Sequence, residues 1–596
     1  MTYKYKWNLE KYFYNWINDK NLEKDLKSVI EDIQNFIKKY KWKIQNFQTA
    51  EEILKYYQDD EEISLKLNKI FHYLFYKNSL DTQNQDIIKK TMEVENLFVE
   101  IQNQLLFVQE EFKKLWKKKL KEFSENPILK SYKYLLENKI KSLKHILSKK
   151  EEKLLNELSP IDNQIENLYN EFHSWLSFKI KLNWENKTLT EDEVRSLRSH
   201  KNPKIRRLSY KVLREVYWKK WNKTVLSNIY STFVKQWWLS VKLRKYKTVM
   251  EPRNISEWLD NKVVDLLMNQ VIENYDLFQR YVKIKAKLLW KKTPLPIQDI
   301  LAPTVESKAK FTKDQAIWTH LEVMKNFDET FYNYSIDLLK NWRVDFEPKQ
   351  WKRWGAYASY SKWQESFVLL NFTWKLNDIS TLSHEFWHAI HGHLSQIQPE
   401  AVYDSPLSLA ETASIFNEML LSEHLLNDKN LNKEDKINLL ENKLWDIFAT
   451  IFRQIQYVDF EKQVHTWIQN NKQFSHEDYC KLWRSTQEKM SWKSIRYDVK
   501  PEEESWWSMI PHIFHTPFYC YSYAFGNILT FSLYNKYKTE WQKFVKDYKQ
   551  ILSSWWSIPP KELLWKFWID ITKKKFYQDA FKEIEKMLNK LESLIK

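Results

Sequence analysis

Over its first 190 or so residues the chain sets apolar side chains three and four positions apart, with charged and amide residues between them. Val94, Leu97, Ile101, Leu105 and Val108 form one such run, and residues so spaced share one face of an α-helix. This stretch has no glycine and only Pro127 and Pro160, so little in it would break helices. The pattern predicts an N-terminal helical lobe over 1–190 whose stripes face a core. The polar stretch from Asn183 to Asp192 marks a boundary with a second unit, 191–596. Helices continue there to about residue 290, and a proline-rich connection runs from Lys292 to Pro303.

The period then changes. Gly355 to Tyr360 and Ser366 to Phe372 are short, aromatic and apolar, separated by a polar turn, and read as two strands. A helical pattern resumes at once, with Ile379, Leu382, Phe386, Ala389 and Ile390 as its apolar turns and no proline from Asp378 to Gln398. Asn377 and Asp378 are placed to cap it. Ser408 to Leu420 reads as another helix, with Leu409, Ala413, Phe416 and Leu420 on its apolar side, and Asn438 to Ile468 as a longer one. The fold class is therefore mainly α, with a small β-sheet beside one helix.

Composition narrows the classes. With 596 residues and 43% hydrophobic content the chain is globular. A net charge of +17 raises the question of nucleic acid, but Lys is spread along the whole length and no zinc-finger, phosphate-loop or RNP pattern occurs. A solvated Lys-rich surface accounts for the charge, and no nucleic-acid partner is expected. The first ten residues lack a signal-peptide core and no apolar run reaches membrane-spanning length, so a cytoplasmic protein with no membrane contact is expected. Cys480 and Cys520, far apart, read as buried free thiols.

The densest chemistry lies in the helix after the strands. His384 and His388 stand four residues apart, hence one turn apart on one face, where two imidazoles can hold one metal ion. Glu385 is rotated by about a third of a turn and reaches the edge of such a site, as a general base toward water. A Glu-rich chain with 14 His also produces this pattern by accident, so a third ligand matters. Glu411 in the next helix would complete a His2Glu set with a fourth position open, and Glu418 could orient a ligating imidazole from behind. A solvated surface carboxylate is the plain alternative for Glu411. A second cluster, Pro511 to Gly526, puts His512, His515, Tyr519, Tyr521 and Tyr523 within sixteen residues. From the residues alone, packed aromatics with hydrogen-bonded hydroxyls are the ordinary explanation for such a cluster.

The His384 motif, the Ala410 to Glu418 block, Arg353 to Ser359, Phe367 to Phe372, Ile451 to Ile455 and Ile510 to Gly526 together resemble the thimet oligopeptidase-like zinc metallopeptidases. The resemblance is nearest to their oligoendopeptidase F branch and covers roughly residues 200 to 590. It implies a two-lobed helical metallopeptidase with a deep substrate channel and one Zn2+ per chain on His384, His388 and Glu411. It implies Tyr523 and His512 as donors to the substrate carbonyl oxygen, and His515, Tyr519 and Tyr521 as substrate contacts. Gly355 and Ala356 join them at the strand edge, where an extended peptide would pair its backbone. The expected activity is zinc-dependent cleavage of internal bonds in short oligopeptides. Two alternatives stay open: a dipeptidyl carboxypeptidase or metallocarboxypeptidase sharing the motif, and a non-enzymatic peptide-binding protein if Trp387 obstructs the site.

Trp387 departs from the family, which has glycine there, and the same departure recurs at Trp354, Trp363 and Trp374. The chain has 30 Trp and only 3 Gly, where ordinary usage puts glycine at about 7%. Trp555 and Trp556 stand where one helix gives way to another, a place that asks for glycine. We expect most of these Trp to be UGA codons read as glycine in the organism, which the codons at Trp354, Trp374 and Trp387 would decide.

Overall fold

The computed structural model describes residues 3–596 apart from 116, 183, 308, 363, 404–408, 410, 471, 473, 555 and 556. It is 73% helical with a few small sheets, the mainly α fold read from the periodicity. N-terminal helices span Lys20–Tyr40, Ala50–Leu80 and Gln85–Leu105, capped at their starts by Asp19, Thr49 and Asn84 side chains. Their stripes bury Leu26, Ile33, Tyr73, Val94 and Ile101 in one core, and a second gathers Phe36, Tyr56, Phe112 and Leu136. The stripe read through Val108 is split, because the helix ends at Leu105 and another begins at Phe107.

A much larger core runs from Tyr169 to Leu591. Residues 1–190 are not helical to their end: Phe178–Leu182 and Glu185–Leu189 pair as an antiparallel hairpin. Phe178 and Ile180 point inward and Lys179 and Lys181 outward, the period-two pattern of a half-buried strand.

Three strands position the candidate site. We label them β1 (Val344–Asp345), β2 (Tyr357–Ser361) and β3 (Gln364–Leu369). β3 is central, parallel to β1 and antiparallel to β2, which leaves β2 on the edge. The strands are shorter than the sequence pattern suggested. Gly355 turns the chain at φ +82° before β2, and the Asn371 amide donates to the Arg353 and Gly355 carbonyls after β3. Trp7 anchors the N-terminal segment here, its indole N–H lying 2.9 Å from the Val368 carbonyl.

Helix α1 (Leu376–Leu394) packs across β2 and β3. A Cβ on Gly392 would fall 2.4 Å from Tyr360 Cγ, so only glycine allows this approach of helix to strand. Asn377 and Asp378 lie inside the helix rather than before it. Asp378 acts from the first turn, accepting from the backbone N–H groups of Lys375 at 2.9 Å and Thr373 at 2.7 Å. Further on come α2 (Thr412–Asn427), α3 (Lys433–Ile447), α4 (Arg453–Gln469) and α5 (Tyr521–Glu540). The long helix read over 438–468 is α3 and α4 joined by a π-helical turn, Phe448–Phe452. Both cysteines are buried free thiols. Among the described residues no helix is long and apolar enough to cross a membrane.

The backbone singles out tryptophan. Among the described residues twelve other than glycine have left-handed φ, and ten are Trp: 42, 184, 258, 290, 342, 351, 374, 492, 541 and 568. Trp492 and Trp541 are the C-cap residues of their helices, and Trp42, Trp290 and Trp342 follow helix ends closely. Helices favour glycine there, because a Cβ clashes in the left-handed region. Trp184, Trp290 and Trp568 are at least 84% exposed, so no burial of the indole offsets that strain. Trp387 shows no such sign, being a helical residue buried against Phe331 at a ring separation of 4.6 Å. Trp363, Trp555 and Trp556 lie outside the described residues. Glycine at Trp184, Trp290 and Trp568 is expected to stabilise the protein by about 1 kcal/mol at each site, read as a rise in Tm; a fall would contradict this reading of the backbone.

Candidate metal centre

Two elements bring the candidate ligands together. His384 and His388 project from one face of α1, with their Nε2 atoms 3.1 Å apart. Glu411 is not inside a helix as the pattern suggested; it stands at the N-terminal end of α2, with residues 404–408 and 410 before it outside the described set. Its Oε2 lies 3.3 Å from both Nε2 atoms, and the Ser414 hydroxyl donates to that oxygen at 2.8 Å. Among the described residues His384, His388 and Glu411 are the cluster able to hold a metal ion. A triangle of these sides puts each corner about 2 Å from its centre, the length of a zinc bond to nitrogen or oxygen.

The electrostatics fit a cation there. Burial would lower His384, but Glu411 and Glu418 outweigh it and raise the imidazole to about 10. Burial would raise Glu411, but hydrogen bonds from His384 and His388 hold it well below the usual carboxylate range. Glu418, one face of α2 further on, meets His384 Nδ1 at 2.7 Å and fixes which ring nitrogen faces the centre. Lys443 on α3 donates to the other Glu418 oxygen and keeps it ionised, so burial does not prevail and Glu418 falls to about 2. Nothing in the sequence marks Lys443, one lysine among many.

Glu385 is 8% exposed, and burial raises its pKa against the lowering pull of the two imidazoles. The Ala358 backbone on β2 adds a smaller lowering pull. Gly355 and Ala356 stand just before β2.

The Pro511 to Gly526 block divides. The Tyr523 hydroxyl lies 3.4 Å from His512 Nε2, the Tyr519 and Tyr523 rings are 5.0 Å apart, and Tyr523 feels the charge of Glu411. Burial lowers His512, with His515 adding to it. His515 is half-buried, its ring 5.5 Å from Tyr169. Tyr521 is a correction: two residues from Tyr523 on α5, it points to the opposite side, is wholly buried, and offers substrate no surface. Trp387 does not obstruct the site either. Its indole turns into an aromatic core of Phe327, Phe331, Phe416 and Tyr548 while the three ligands remain assembled.

Comparison with known proteins gives this arrangement a family. Residues 304–583 match the model of peptidase family M3, and residues 111–174 match that of Oligopeptidase F, more than half of the chain together. The chain belongs to peptidase family M3. It is similar to an oligoendopeptidase F homolog of Lactococcus lactis subsp. lactis, 28% identical over 558 residues, covering 92% of this chain and 91% of that one. A Chlamydophila abortus crystal structure shares the fold at a TM-score of 0.86 and 24% identity, over 100% of this chain and 99% of that one. Oligoendopeptidase-F from Enterococcus faecium does so at 0.71 and 22%, over 96% and 98%.

Proposed function

We propose that this chain is a zinc-dependent endopeptidase that hydrolyses internal bonds of short oligopeptides. The observation that carries the reading is the convergence of His384, His388 and Glu411 on one point with Glu385 buried beside it. The oligoendopeptidase F name of its relatives supplies the substrate class. When bound, zinc polarises a carbonyl and brings the pKa of water to about 7.

The chain's own groups do the rest. Glu385, made more basic by burial, takes the proton of the attacking water and delivers it to the leaving amine. Glu418, steadied by Lys443, holds His384. Tyr523 and His512 donate to the oxyanion that develops on the scissile carbonyl, a contribution of about 3 kcal/mol per donor. An extended peptide runs along the β2 edge from Gly355 and Ala356, with Tyr519 and His515 beside it. The N-terminal unit, residues 1–190, walls the channel that limits substrate length. Tyr76 donating to Ser359 of β2 at 2.9 Å is consistent with that placement.

Tyr523→Phe is expected to lower kcat by about 100-fold with little change in KM. Unchanged kcat would remove Tyr523 from the mechanism. Product lengths from one defined peptide separate the activities: internal fragments are expected, and stepwise release of C-terminal dipeptides or single residues would favour the exopeptidase alternative.

A further inference from the structure

Beyond the metal centre, a cavity of about 210 Å3 opens between α4, the segment before His512 and the short 3-10 helix Leu197–Ser199 that carries Arg198. Arg198, Arg453 and Arg195 all line it. Arg195 is satisfied by Glu191 at 2.5 Å. Arg198 lies over the Trp506 ring at 4.4 Å and Arg453 over Trp445 at 5.7 Å, and neither has a carboxylate within ion-pair reach among the described residues. Arg453 Nε is buried with no hydrogen-bond partner, as is Gln487 Oε1 on the same wall.

Guanidinium groups are seldom enclosed without a counter-ion, because removing their hydration costs several kcal/mol unless a partner replaces it. Here two like charges face one space. Burial first, then Arg195 and Arg453, pull Arg198 down to about 10. The surrounding acids do not neutralise them. Glu504 is held by Arg484, and Asp446 on α3 feels Arg453 without bonding to it.

We infer that this cavity binds a carboxylate of the peptide substrate between Arg198 and Arg453. The inference rests on the peptidase reading and gives it a basis for substrate choice. A planar guanidinium fork matches a carboxylate through two parallel N–H donors, and Arg is the usual residue where such recognition occurs. The volume lies below the range of about 300–1,000 Å3 typical of pockets that enclose a whole ligand, which suits one end group or one acidic side chain. Its position suits substrate too. Ile510 on its wall stands two residues before His512, and the charge of Arg453 is felt at Cys520, next to Tyr519.

The test uses one peptide sequence in three forms: with a free C-terminal carboxylate, with a C-terminal amide, and as the amide with one internal Glu. The wild-type chain is expected to cleave the free acid with a KM about tenfold below that of the amide, a difference of 1.4 kcal/mol. Recovery of low KM by the Glu-bearing amide would assign the side chain as the source, and no recovery the terminus. Arg198→Met and Arg453→Met are each expected to raise KM for the preferred peptide and to leave the plain amide and kcat unchanged. Arg198→Lys is expected to retain part of the preference. Equal KM for all three peptides in the wild type overturns the inference without any variant, as do Arg variants that weaken all three alike. If no peptide is cleaved, the hydrolase reading fails separately, and anisotropy binding of the same peptides to the zinc-loaded Glu385→Gln chain still decides the carboxylate preference.

Discussion

Glu385→Gln is expected to abolish peptide hydrolysis while the protein stays folded and keeps its metal. Glutamine has nearly the shape of glutamate, so the 8% exposed position takes it without a cavity. What it lacks is a basic site of raised pKa beside the imidazole pair. General-base catalysis contributes about 10^2–10^4-fold, so kcat should fall by about that factor with KM much less affected. Zinc content should remain one per chain, since His384, His388 and Glu411 are untouched. Activity within a few-fold of wild type would mean that another group takes the proton.

Glu411→Ala is expected to act by a different route, through loss of the metal. Glu411 supplies the carboxylate equidistant from both imidazoles and the negative charge that favours a cation between them. Without it two imidazoles on one helix remain, and bound zinc after dialysis should fall far below one per chain together with activity. Far-UV circular dichroism should stay helical, since Glu411 is half-exposed at the end of α2 and carries little of the core. Glu418→Gln should be milder, lowering metal affinity by about 10–100-fold, because it touches the metal only through His384. Full zinc occupancy in Glu411→Ala would show that the third ligand lies elsewhere.

Much of this site was legible because its chemistry depends on helical spacing. His384, Glu385 and His388 need only one turn of α1, and the helix formed where the apolar residues indicated. Its start differed because Asp378 reaches back to the Lys375 and Thr373 N–H groups, which a search for a capping residue in front of the helix does not find. Glu411 stands beside the two imidazoles as the candidate third ligand, but it precedes the helix the sequence pattern puts it in. The error did not matter to the chemistry, since one carboxylate oxygen reaches the imidazoles from either placement. Tyr521 and Tyr523 show the opposite case. Aromatic type alone does not tell a core tyrosine from a donor, and only the register of α5 separates them. Lys443 and the two unpaired arginines carried no sequence signal, because their roles come from contacts across elements distant in the chain. The hairpin at 178–189 was legible in the Phe178 and Ile180 alternation but read as part of a helical lobe. The tryptophans at left-handed φ join composition to backbone: the excess of one residue type falls where the chain needs the missing one.

The most direct test of the central claim is hydrolysis of a quenched fluorescent oligopeptide by the full chain, with metal content measured on the same samples. One zinc per chain, internal cleavage lost when a chelator removes it, and cleavage restored by adding Zn2+ back is the predicted result. Cleavage that persists in the metal-free chain, or a zinc-loaded chain that binds the peptide and leaves it intact, would contradict it.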